Sequence, residues 1–141
     1  MRYNLNKTMK NYNLFLDDVR IPEHCYEYIP DPRYLSLEWH IVRSHEDFIK
    51  TLESKWESGE FPALVSFDHD LHDEHYDRSM FHGVNAYENA YKRFTYPTGR
   101  RSAEFLVKFC KEKNISMPEC LIHTMNPAGK VRINRTIKGD T

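Results

Sequence analysis

Four aspartates fall in two close groups, Asp17-Asp18 and Asp68-His69-Asp70, and each group directly follows a short apolar run. Carboxylates gathered in one cleft repel each other, so either their pKa values rise or a cation neutralises them. Hard oxygen donors of this kind suit Mg2+ or Mn2+, which makes Asp17, Asp18, Asp68 and Asp70 the candidate metal ligands. The plainer alternative is that each acid caps the helix after its strand. His123 also ends an apolar run, Cys120-Leu121-Ile122, and opens a polar turn, Thr124-Met125-Asn126-Pro127. Together with Asp68 and His69 it is a candidate for proton transfer. His69, His72, His75 and His82, mixed with Asp70, Asp73 and Asp77, could instead take a softer ion such as Zn2+, Fe2+ or Mn2+, but their spacing matches no specific zinc signature. A solvated polar loop is the expected reading of that stretch.

Groups for an anion are also present. Arg20 follows the first acidic pair by two residues and could pair with it or hold a phosphate. Thr98-Gly99 at a helix start offers a hydroxyl and backbone N-H groups, and Asn126-Pro127-Ala128-Gly129-Lys130 could form a second cradle. The latter is no P-loop, because GxxxxGK[ST] is absent. Lys130, Arg132 and Arg135 suit the exposed face of a last helix.

Positioning these residues requires strands that end where the acids begin. Tyr12 to Leu16, Glu38 to Arg43, Pro62 to Phe67 and Cys120 to Ile122 read as strands. Between the second and third, Ser44 with Asp47 resembles a capping box, Phe48, Leu52 and Trp56 recur at helical spacing, and Gly59 stops the helix. Arg100 to Lys113 carries a stripe of Ala103, Leu106, Val107 and Cys110, with Asn114 suited to a left-handed cap. Pro127 opens the last helix. Leu71 to Pro97 shows no clear periodicity, apart from a turn or more of helix over Asn85 to Phe94. Strands alternating with helices imply a parallel sheet with helices on both faces and ligands at the carboxyl ends of the strands.

At 141 residues the chain fits a single domain, with a core over about 12–138 and 1–11 as an N-terminal extension. Lys plus Arg total 20 against 21 Asp plus Glu, a net charge of -1, so no extended nucleic-acid-binding surface is expected. Cys25, Cys110 and Cys120 share no metal or CxxC spacing, which favours a reducing, cytoplasmic setting. No run approaches the roughly 18 apolar residues of a membrane span, and Met1 to Lys10 lacks a signal h-region.

Read together, Leu14-Phe15-Leu16-Asp17-Asp18-Val19-Arg20-Ile21-Pro22, Ser66-Phe67-Asp68-His69-Asp70-Leu71, Thr98-Gly99 and His123-Thr124-Met125-Asn126-Pro127-Ala128-Gly129 resemble the cyclic-phosphate-processing receiver domains. The resemblance implies a three-layer α/β/α, flavodoxin-like domain with a parallel sheet of about four strands in the order 2-1-3-4. Ordinary receivers carry an acidic pair after the first strand, a phosphoacceptor Asp after the third and a Lys after the last. Here His123 stands where the Lys would be, and the chain is one β/α unit short of the usual five. The implied function is a metal-dependent phosphoesterase acting on cyclic phosphates of nucleotides or RNA ends. Asp17, Asp18, Asp68 and Asp70 would hold Mg2+ or Mn2+. His123 or His69 would protonate the leaving alkoxide, and Arg20, Thr98, Gly99 and Asn126 would position phosphate oxygens. The rivals are a phosphoacceptor signalling module and a protein that sequesters a cyclic nucleotide, with Tyr87, Tyr91, Phe94 and Tyr96 available to stack a base.

Overall fold

A computed structural model describes residues 9–72, 75, 88, 91–92 and 96–139. Strands β1 (Lys10–Leu16), β2 (His40–Val42), β3 (Glu60–Phe67) and β4 (Glu119–Ile122) form an all-parallel sheet in the order β2-β1-β3-β4. This is the order expected from the sequence, in a flavodoxin-like α/β fold. Lys10 and Asn11, expected outside the core, pair with Glu60 and Phe61 and belong to the sheet. The second strand is confined to three residues of the expected Glu38 to Arg43.

Among the described residues the sheet is flanked by helices α1 (Pro22–Tyr26), α2 (Arg33–Ser36), α3 (His45–Glu57), α4 (Gly99–Lys113) and α5 (Pro127–Lys138). The chain steps one way along the sheet from β1 to β2 and the other way from β2 to β3 to β4. Right-handed crossovers therefore place α1 and α2 on one face and α3 and α4 on the other. Side-chain alternation then sorts the residues between the faces. Ile41, Phe15, Ser66 and Leu121 share one register row, and Val42, Leu16, Phe67 and Ile122 share the next. Leu14, Leu16, Val65 and Phe67 pack with Phe48, Leu52, Leu106, Phe109 and Ile133 under α3, α4 and α5. Phe15 packs with Cys25 and Tyr34 under α1 and α2.

The longer helices end as their sequences require. Ser44 Oγ accepts from the Asp47 N-H at 3.1 Å, and α4 stops at Asn114 in the left-handed region, φ 56°. Pro127 takes the first turn of α5, with Asn126 Oδ1 capping Gly129 N-H at 3.0 Å. Helices α1 and α2 were not anticipated, because five and four residues are too few to show a period. Arg33 anchors α2 by pairing with Glu119 of β4 at 2.6 Å and accepting the Trp39 indole N-H on its carbonyl at 3.1 Å. The even overall charge is not evenly spread. Arg100, Arg101, Lys108, Lys111 and Lys113 on α4 and Lys130, Arg132, Arg135 and Lys138 on α5 are set against only Glu104 and Glu112 on those helices. Among the described residues no helix is long and apolar enough to cross a membrane.

Candidate active site and metal centre

Asp17, Asp68 and His123 are the first residues beyond the row Val42, Leu16, Phe67 and Ile122. Their backbones continue the ladder: Asp17 N-H donates to Val42 at 3.1 Å, Asp68 N-H to Leu16 at 2.9 Å and His123 N-H to Phe67 at 2.9 Å. Because alternation holds one residue past the strand ends, all three side chains turn to the α1/α2 side of the edge. One carboxylate oxygen of each aspartate and one ring nitrogen of His123 lie within 4.8 Å of one another, and all three residues are buried.

Asp17 is the more satisfied of the two acids. Its Oδ1 accepts from Val19 N-H at 3.0 Å and Arg20 N-H at 2.9 Å, and its Oδ2 faces His123 Nε2 at 3.1 Å and Arg20 at 3.4 Å. Burial alone would raise its pKa, but the His123 hydrogen bond and the two backbone N-H groups hold the carboxyl below the usual carboxylate range. Burial depresses the basicity of His123 against the pull of Asp17.

Asp68 is the strained partner. Its Oδ1 accepts from His69 N-H at 2.9 Å, while its buried Oδ2 has no hydrogen-bond partner among the described residues. Arg20 stands 3.8 Å from that oxygen. Burial, then the charges of Asp17 and Asp70, push the Asp68 carboxyl up to about 8. An orphaned buried carboxylate oxygen beside a second carboxylate is what a divalent cation would satisfy, so these residues fit a metal ion. Carboxylate donors of this kind suit Mn2+ or Mg2+.

Behind His123 lies a network of residues given no role in the sequence reading. His123 Nδ1 and Ser66 Oγ are 2.7 Å apart, and Ser66 Oγ and the Tyr34 hydroxyl are 2.7 Å apart. The imidazole stacks on Phe15 with centroids 4.4 Å apart and planes at 4°, and the Tyr28 hydroxyl donates to the His123 carbonyl at 2.6 Å. Ser66 carried a readable signal, since a hydroxyl inside an otherwise apolar strand must be paired when buried. Tyr28 and Tyr34 carried none, because their places depend on two helices too short to foresee.

A second group joins the strand end to α4 and α5. His69 Nδ1 and Asp70 Oδ1 are 2.7 Å apart, and Asn126 Nδ2 donates to the same oxygen at 3.3 Å. Asp70 therefore lies outside the Asp17, Asp68 and His123 group, and the Asn126 side chain serves as a cap and a tie. Gly99 N-H donates to the His69 carbonyl at 2.8 Å, so that cradle donor is already used. A Cβ on Gly99 would lie 1.7 Å from the Asp68 carbonyl oxygen, and one on Gly129 would lie 2.5 Å from His69 Cγ. Close packing, not phosphate approach, requires both glycines here. Thr98 Oγ1 is buried without a partner among the described residues and makes no cap bond, which leaves it open to an anion.

Residues 12–139 match the model of the cyclic-phosphate processing receiver domain. The chain belongs to that family. No curated protein and no solved structure gives a match.

The remaining expectations sort themselves against this receiver domain. Asp18 is half-buried at the rim, its pKa raised by burial and by Asp17, and it stands outside the three-residue group. His69 and His123 are fully buried; His69 Nδ1 faces Asp70, and the two ring nitrogens of His123 face Ser66 and Asp17. His75, expected in a solvated loop, is instead buried and structural: its Nδ1 accepts from Leu71 N-H at 2.8 Å and its Nε2 meets the Tyr96 carbonyl at 2.7 Å. Tyr96 stacks on His72 at 3.8 Å, and Tyr91 lies 4.2 Å from the Arg100 guanidinium. Lys130 and Arg135 are exposed as expected, whereas Arg132 reaches Glu88 at 3.4 Å. Asp73, Asp77, His82, Tyr87 and Phe94 lie outside the described residues. Glu88, Tyr91 and Lys92, described within the stretch Asn85 to Phe94, are helical. All three cysteines are free.

Proposed function

We propose that this receiver domain is a metal-dependent phosphoesterase that opens a cyclic phosphate on a nucleotide or an RNA end. The observation that carries the reading is the buried Asp68 Oδ2, without a hydrogen-bond partner among the described residues, beside the Asp17 carboxylate, with the Arg20 guanidinium near both. Asp17 and Asp68 would hold the ion, Mn2+ or Mg2+, with Asp18 at the rim. When bound, the ion supplies charge neutralisation for the phosphate and a more acidic water.

The chain's own residues do the rest. Arg20 spans the two carboxylates and lies partly exposed, so it can turn its guanidinium to a phosphate once a cation relieves the acids. Thr98 Oγ1, without a hydrogen-bond partner among the described residues, offers a hydroxyl at the start of α4, where the helix dipole also favours an anion. Exclusion of water from this edge strengthens each of these interactions. In the reaction, water oxygen bonds to phosphorus, one ring P-O ester bond breaks, and a water proton ends on the freed alkoxide. A phosphomonoester results.

The test is incubation with 2',3'-cyclic nucleotides and short RNAs ending in cyclic phosphate, with Mn2+, Mg2+ or chelator, followed by chromatography. Ring opening that needs metal and vanishes in Asp17→Asn and Asp68→Asn is the expected result; activity retained in both variants refutes the assignment. The same Asp68 oxygen, without a hydrogen bond among the described residues, also favours a second reading, a phosphoacceptor. That reading predicts a lasting acyl-phosphate on Asp68 after treatment with a small acyl-phosphate donor, and no ring opening.

A further inference from the structure

The buried chain Tyr34, Ser66, His123, Asp17 has one consistent way to place its protons. The links are 2.7 Å from Tyr34 Oη to Ser66 Oγ, 2.7 Å from Ser66 Oγ to His123 Nδ1 and 3.1 Å from His123 Nε2 to Asp17 Oδ2. Every member is at most 1% exposed, so water does not substitute for a missing partner. Ser66 is the single hydrogen-bond partner of the Tyr34 hydroxyl among the described residues. If Ser66 donated to Tyr34, the phenol proton would have no acceptor, and burying an unpaired donor is costly. Tyr34 therefore donates to Ser66. Ser66 in turn donates to Nδ1, which leaves the imidazole proton on Nε2, where it meets a pure acceptor, Asp17.

We infer that Tyr34 and Ser66 are positioning residues that fix His123 as its neutral Nε2-H tautomer, and that His123 acts through Asp17, holding that carboxylate in place, rather than ligating an ion or protonating a leaving group. Ligation through Nε2 would move the ring proton to Nδ1. Ser66 would then have to accept it, and the chain would be left with a hydroxyl proton too many. The Phe15 ring stacked on the imidazole and the Tyr28 hydroxyl on the His123 carbonyl keep the ring from rotating out of this arrangement. A hydrogen-bonded partner behind a ligand is a recurrent way of orienting it. What Asp17 is held for rests on the metal-dependent reading above; the proton placement does not.

Two measurements test the inference. In metal-free protein, two-bond 1H-15N correlation spectra, with the His123 signals assigned by their loss in His123→Gln, should show the neutral Nε2-H pattern. An imidazolium or an Nδ1-H pattern overturns it. Mn2+ then separates positioning from ligation, because a directly bound imidazole nitrogen couples to the Mn2+ electron spin. Spin-echo spectra of the Mn2+-loaded protein should show no directly coupled His123 nitrogen, while His123→Ala and Ser66→Ala should weaken Mn2+ affinity about 10-fold or more. A directly coupled nitrogen that disappears in His123→Gln makes His123 a ligand and refutes the inference. If wild type binds no Mn2+ at all, the metal reading falls and the spectrum alone decides the tautomer.

Discussion

On the side covered by α3, α4 and α5 the sheet presents Leu14, Leu16, Val65 and Phe67, and on the side covered by α1 and α2 it presents Phe15, Ser66 and Leu121. The first face is mainly apolar, packed by three helices of 12 to 15 residues. The second is covered by helices of five and four residues, and a hydrogen-bonded chain runs through it to the carboxyl edge. The difference teaches a division of labour. Apolar burial on one face supplies most of the stability, which leaves the other face free to spend buried polar groups on fixing one carboxylate.

The largest effect that would sharpen this contrast is on stability. Phe67→Ala should cost about 3–5 kcal/mol in urea unfolding, whereas Ser66→Ala, the adjacent residue on the opposite face, should cost about 1–3 kcal/mol. Equal costs would break the comparison.

The next effect is on pH dependence. Asp68 holds its proton up to about 8 in the folded chain, against an ordinary value near 3.8 unfolded. The folded state therefore binds the extra proton between those values, and metal-free stability falls as pH rises from about 4 to 8. Thermal melts in chelator should show this fall, and Asp68→Asn should flatten it while raising Tm at pH 8. A wild-type Tm that rises across the window would contradict the burial argument.

Mn2+ affinity should run the opposite way. Binding must displace the Asp68 proton, so affinity below pH 8 should climb by up to about tenfold per pH unit. Isothermal titration at pH 6, 7 and 8 measures it, and a flat profile would mean that Asp68 is not a ligand. The smallest effect lies on neither face. Asn114→Gly, at the left-handed end of α4, should raise stability by at most about 1 kcal/mol and leave Mn2+ binding untouched.

Much of the frame was legible in the chain. Short apolar runs stopped by Asp17, Asp68 and His123 located three strand ends, and Ser44, Asn114 and Pro127 marked helix boundaries through chemistry that acts over a few residues. Asp70 and Asn126 were legible as polar residues after strands, but their mutual hydrogen bond, which joins positions 56 residues apart, was not. His75 looked solvated for the same reason: its burial depends on Tyr96, 21 residues away.

What the sequence determined by itself is local: the period of each strand and helix, the stops, and the fact that acids follow apolar runs. Which acids share a site was decided by register. Parallel pairing of Leu16 with Phe67, and of Phe67 with Ile122, sets Asp17, Asp68 and His123 side by side, and alternation turns all three to the same face. Their protonation depends on burial under α1 and α2, since neither the desolvation of the edge nor the Tyr34 hydroxyl on Ser66 exists until those short helices close over it.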